Sequence, residues 1–137
     1  MPEYAPETLD HFRAPRNVGV LADADGKGTA GKPGEGHFVV VYIKVEEGRI
    51  MNASFQTFGC PAAIACGSYV TEHVRGQTTE EAFSLSEKEV LAGLGGLPLG
   101  KRKNAGLALA GLHAAIEDFR GRRASKGDRP NPGLQSG

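Results

Sequence analysis

Cys60 is the residue in this chain best placed to do chemistry. It closes the run Phe55-Gln56-Thr57-Phe58-Gly59-Cys60-Pro61, which ends a β-type segment and opens a helix. Gly59 reads as the sharp turn, since glycine takes unusual φ values at no steric cost. Pro61 suits the first helical position, where its missing N–H would have had no partner anyway. Cys60 is then the N-cap, where free backbone N–H groups and the positive end of the helix dipole favour the thiolate, the form that binds metal or attacks sulfur. A small buried hydrophobe at a chain reversal would look the same, because free cysteine is among the most buried residue types. The residues alone leave both readings open. Cys66 lies about 240° of helical rotation further on, off any shared ligand face, and reads as core packing. His11 reads as part of a first-helix motif, its ring capping or hydrogen-bonding nearby backbone, His73 as a surface residue and His113 as a core-edge residue.

The elements that position Cys60 follow from pattern. A helix is expected over 6–14, with Leu9 and Phe12 on one face and Pro15 as its stop. Residues 18–32 are glycine-rich and read as a loop or a weak edge strand. His37 to Val45 is β-branched or aromatic almost throughout and predicts a strand. A tight turn at Glu46-Glu47-Gly48-Arg49 leads into a second strand over 50–58, giving an antiparallel hairpin. After Cys60 a helix with small residues (Ala63, Ile64, Gly67, Ser68, Thr71) runs to Arg75-Gly76, with glycine as its stop. Thr78-x-x-Glu81 and Ser86-x-x-Glu89 have the capping-box form and mark two short helices. A glycine-rich break over 93–100 precedes a last helix over 105–120, whose stripe of Leu109, Leu112, Ile116 and Phe119 faces the core. The fold class is therefore α+β, a small antiparallel sheet of about three strands covered on one face by helices. One domain is expected over 1–120, followed by a disordered basic tail over 121–137. That tail could touch acidic partners, although such charge runs are usually just solvated.

Composition narrows the function classes. The 137 residues carry 16 basic and 16 acidic side chains, so no net field draws nucleic acid or an anionic membrane. No apolar run approaches the roughly 18 residues of a membrane span, and the start lacks the basic and apolar regions of a secretory signal. Two cysteines so close in one helical segment do not make a disulfide framework. The expected setting is a reducing cytoplasm.

Three segments resemble the IscU/NifU N-terminal-domain family of iron–sulfur cluster scaffolds. His11-Phe12-Arg13-Ala14-Pro15-Arg16-Asn17-Val18-Gly19 is close to the family's HYxxPRNxG opening. Phe55 through Ala65 matches its F-x-T-x-G-C-x-x-x-I-A core, and Val70 through Thr78 resembles V-T-E-x-V-x-G-K-T. The resemblance covers residues 4 to about 120. It implies a ligand set built from three cysteines plus an aspartate or histidine, and here the chain departs. The first cysteine of the family's A-C-G-D loop falls on Glu35 and its aspartate on His37. The second cysteine is kept as Cys60, and the late His-Cys pair falls on Lys103 and Asn104.

One thiolate of three survives, which argues against a [2Fe–2S] cluster, normally held by thiolates or histidine. Glu35, His37 and Cys60 still offer oxygen, nitrogen and sulfur donors suited to one iron or zinc ion. Their simpler readings are a solvated loop carboxylate and an exposed residue at a strand start. Lys103 and Asn104 are expected beside these donors, with Lys103 steadying the Cys60 thiolate or pairing with Glu35, and Asn104 as an N-cap. The resemblance implies a scaffold rather than an enzyme, with a cysteine desulfurase delivering sulfur to Cys60 and acceptor apoproteins downstream. Leu97-Pro98-Leu99-Gly100-Lys101 departs from the family's LPPVK, which weakens any implied chaperone contact there. The rival functions are a persulfide carrier that transfers sulfur without holding a cluster, and a metal-binding or interaction module that has lost cluster assembly.

Overall fold

The strand-forming run at 38–46 and its partner build the middle of the molecule. In a computed structural model, which describes residues 4–32 and 36–126, β2 (Phe38–Glu46) and β3 (Arg49–Phe58) form the expected antiparallel hairpin. Its two-residue turn uses Glu47 at φ 53° and Gly48 at φ 77°, the type I′ geometry whose twist matches paired strands. The glycine-rich stretch supplies β1 (Gly26–Gly31), an edge strand paired antiparallel to β2, so the sheet order is β1-β2-β3. At the free edge of β3, Phe55 N–H donates to Asn17 O at 2.9 Å, and Gly19 N–H donates to Phe55 O at 2.8 Å.

Helices cover one face of the sheet. Helix α1 (Pro6–Arg13) packs on α2 (Pro61–Val74), α2 lies against β3, and α5 (Lys103–Lys126) lies across β1 and β2. Val39, Val41, Ile43, Ala53 and Phe55 of the sheet meet Ala65, Cys66, Val70, Leu109, Leu112 and Ile116 in one buried core. Close approach is made possible by missing side chains. A Cβ on Gly28 would overlap the backbone of α5 at Ala115, and one on Gly67 would lie 2.5 Å from the Phe55 ring. Both capping boxes form. Thr78 caps α3 (Thr79–Phe83) and Ser86 caps α4 (Glu87–Gly93), with Glu81 and Glu89 returning to the cap N–H groups.

Three expectations change. The buried residues of α1 are Thr8 and His11, not Leu9 and Phe12, because Thr8 Oγ1 donates to Leu94 O at 2.7 Å and His11 packs onto α2. His11 Nδ1 meets the Ser68 hydroxyl at 2.7 Å, a side chain rather than nearby backbone. The last helix begins at Lys103, after a 3₁₀ turn over Leu99–Lys101, and continues through Gly121 to Lys126. Arg122 anchors that extension, pairing with Asp118 one turn back at 2.9 Å and donating to Ala24 O at 3.4 Å. Of the expected tail, 121–126 is thus helical, and 127–137 lies outside the described residues. No described helix is long and apolar enough to cross a membrane.

Candidate functional site

The last rung of the β2–β3 ladder pairs Phe38 with Phe58, so His37 and Gly59 leave the sheet side by side. Cys60 follows as the N-cap of α2, at φ −86° and ψ 175°, with Pro61 in the first turn. Its side chain makes no cap bond. The carbonyl serves instead, accepting from Ala63 N at 2.9 Å and Ile64 N at 3.2 Å, which leaves the half-buried sulfur available. Gly59 does not have the left-handed φ expected of it. Its missing side chain is explained by crowding, since a Cβ there would lie 3.1 Å from His37 Cδ2 and 3.0 Å from Ala63 Cβ. The signal was present in the sequence as a glycine, but its cause is the ring of the residue just before β2.

Asn104 joins the two donors. Its side chain is buried, at 2 % exposure. Oδ1 lies 3.2 Å from His37 Nδ1, and Nδ2 donates to Cys60 Sγ at 3.8 Å and to Lys101 O at 2.9 Å. This corrects its expected role as N-cap. It sits inside the first turn of α5 and reaches back across the 3₁₀ turn into the site. Lys103 lines, with His37, Asn104, Leu107 and Ala110, a cleft of about 650 Å³ along α5. Glu35 lies outside the described residues. His37, Cys60 and Asn104 are therefore brought together, with Lys103 beside His37 and Asn104.

The remaining candidates stand elsewhere. Cys66 is fully buried, and burial, reinforced by the charge of Cys60, pushes its thiol up to about 12. His11 is held below the usual histidine range by burial and by the Arg16 guanidinium, with Glu72 opposing. His73 stacks on Tyr69 at 5.4 Å and His113 on Phe83 at 4.3 Å.

As a place for metal, the site is defined by its donors. Among the described residues, no three of His, Cys, Asp and Glu gather to hold an ion. One sulfur and one imidazole nitrogen suit a borderline divalent cation such as zinc or iron(II). They fall short of the ligands a [2Fe–2S] unit needs. An exposed apolar side chain stands beside the site: Phe58, next but one to Cys60, is 66 % exposed and stacks on Phe38.

The family model described as NifU-like N terminal domain matches residues 3–126. The chain belongs to that family. Among its NifU-like relatives, an Archaeoglobus fulgidus protein named iron-sulfur cluster assembly scaffold protein IscU 1 is 47% identical over 116 residues, covering 85% of this chain and 76% of the relative. An Aquifex aeolicus protein named iron-sulfur cluster assembly scaffold protein IscU is 45% identical over 119 residues, with the same two shares. The NifU-like fold is also seen in the crystal structure of a putative scaffold protein for the SUF system from Fervidobacterium islandicum. That structure superposes with a TM-score of 0.66 at 17% identity, covering 82% of this chain and 96% of the other.

Proposed function

We propose that this chain is an iron–sulfur cluster assembly scaffold with a reduced ligand set. It accepts sulfur at Cys60 and carries one iron or zinc ion as cargo on Cys60 and His37, with Glu35 as a third donor. Family membership and relatives named as scaffolds at 45–47% identity support the general role. The observation that carries the specific reading is the single buried amide of Asn104 touching both His37 Nδ1 and Cys60 Sγ. A cysteine desulfurase is the expected sulfur source, and apoproteins are the expected receivers. In the loading step the Cys60 thiolate attacks the terminal sulfur of the donor's persulfide. A new S–S bond forms at Cys60, the donor's S–S bond breaks, and the donor leaves as a thiolate. The protein carries and presents atoms rather than turning over a substrate.

A persulfide carrier is the second reading. It is favoured by Asn104, which stands where a ligand cysteine is expected and supplies an N–H to sulfur instead of a second thiolate. Elemental analysis of protein purified without chelators, anaerobic reconstitution followed by absorbance, and persulfide labelling separate the alternatives. The scaffold reading expects close to one iron or zinc ion per chain, lost in Cys60→Ser, with persulfide at Cys60. A stable iron–sulfur chromophore on the monomer would overturn the reduced-ligand reading. Persulfide without metal would favour the carrier. Neither metal nor persulfide on a folded chain would leave an interaction module.

A further inference from the structure

We propose that Asn104 is the positioning residue of this site: its amide fixes His37 as the Nδ1–H tautomer, leaving Nε2 as the nitrogen offered to a metal ion or proton, and aims an N–H at the Cys60 sulfur. The role for metal or sulfur rests on the function proposed above, whereas the assignment of the ring proton rests on geometry alone. The two ends of an amide are told apart by what they touch. A backbone carbonyl only accepts, so the Asn104 atom 2.9 Å from Lys101 O is the nitrogen. The other end, 3.2 Å from His37 Nδ1, is then the oxygen. An amide oxygen also only accepts, so Nδ1 carries the hydrogen. In the neutral ring the lone pair is left on Nε2, because the partner of one ring nitrogen decides the state of the other.

The same nitrogen also donates to Cys60 Sγ, 3.8 Å away. One side chain thus sets the imidazole and supports the sulfur, while its bond to the 3₁₀ turn holds it in place. Gly59 completes the arrangement by leaving room for the ring at 3.1–3.2 Å from where a Cβ would stand. A cysteine at 104 could supply a ligand of its own. It could not offer an oxygen acceptor to the ring and an N–H donor to sulfur together. The exchange of thiol for amide therefore alters the site's chemistry and does not simply remove a ligand.

The ring proton can be read directly. Long-range ¹H–¹⁵N correlation spectra in alkaline buffer, where histidine is neutral, separate the two tautomers. Only four histidines are present, and His37→Gln identifies the ring of interest. The expected spectrum of the unmodified protein has hydrogen on Nδ1 of His37. Asn104→Asp keeps an oxygen acceptor and should retain that tautomer, whereas Asn104→Leu should lose it. Hydrogen on Nε2 of His37 in the unmodified protein overturns the proposal without any variant. An unchanged tautomer in folded Asn104→Leu overturns it as well, and would leave Asn104 as a purely structural amide. Cobalt(II) titration of the apo chain reads the consequence, since loss of a residue that orients a ligand weakens metal binding by roughly 10- to 100-fold. Asn104→Leu should show that loss while keeping the sulfur-to-cobalt band from Cys60. If the unmodified chain binds no cobalt, the metal reading of the function fails, and the tautomer is still decided by the nitrogen spectra.

Discussion

The two cysteines differ in surroundings more than in sequence. Cys60 is half-buried beside His37 and Asn104, whereas Cys66 is sealed in the core with its thiol pushed up to about 12. Limiting alkylating reagent at neutral pH, read by peptide mass, should therefore modify Cys60 first. Faster labelling of Cys66 would refute the assignment. Cys66→Ala should cost about 1 kcal/mol, as for removing a small buried group. Burial of Cys66 also shapes the alkaline limit of stability. In the unfolded chain its thiol ionises near 9.0, and in the folded chain only near about 12, so between those values the folded state holds more protons. Stability should fall across that window as pH rises. Denaturant titrations from neutral pH upward should show a steeper loss for the unmodified protein than for Cys66→Ala, and parallel curves would show that Cys66 is not responsible.

At the scale of elements, the parts with local causes were readable and the parts with distant causes were not. The β2–β3 hairpin announces itself by β-branched residues around Glu47-Gly48, and both short helices by their capping boxes. These signals lie within a few residues of what they specify. The extension of α5 past Arg120 depends on Arg122 reaching Ala24 and Asp118, which a polar, glycine-containing stretch does not advertise. The placing of Cys60 at an N-cap was legible from Gly-Cys-Pro. The reason for Gly59 and the twofold contact of Asn104 were hidden, because each requires knowing where His37 lies. β1 and α5 supply another such case. Gly28 sits where any Cβ would strike the backbone of α5, so Gly28→Ala should destabilise by about 1–3 kcal/mol, the usual cost of overpacking. Gly100, with open space around it, is the control, and Gly100→Ala should be near neutral. Chemical denaturation of the pair decides the matter. Equal stabilities would mean that α5 can shift away from the sheet without cost.

For the molecule as a whole, the candidate site is spread over three separated stretches of chain: the entry to β2, the β3–α2 junction and the first turn of α5. None of them contains the site alone, and they come together only when α5 is seated on the sheet. Anything held there binds the folded chain in preference to the unfolded one, so occupancy and folding are thermodynamically linked. Zinc at about 100 times its dissociation constant should add roughly 2.7 kcal/mol to unfolding and raise the melting temperature by several degrees. The shift should vanish in Cys60→Ser. An equal shift in that variant would place the binding elsewhere. If the proposed cargo binds, it would act as a clasp across the start of α5, and amides there should exchange more slowly with solvent when the clasp is closed. Unloading reverses this. A receiver that removes the cargo would at the same stroke loosen the carrier, so each empty molecule should be a little less ordered than the full one it replaced.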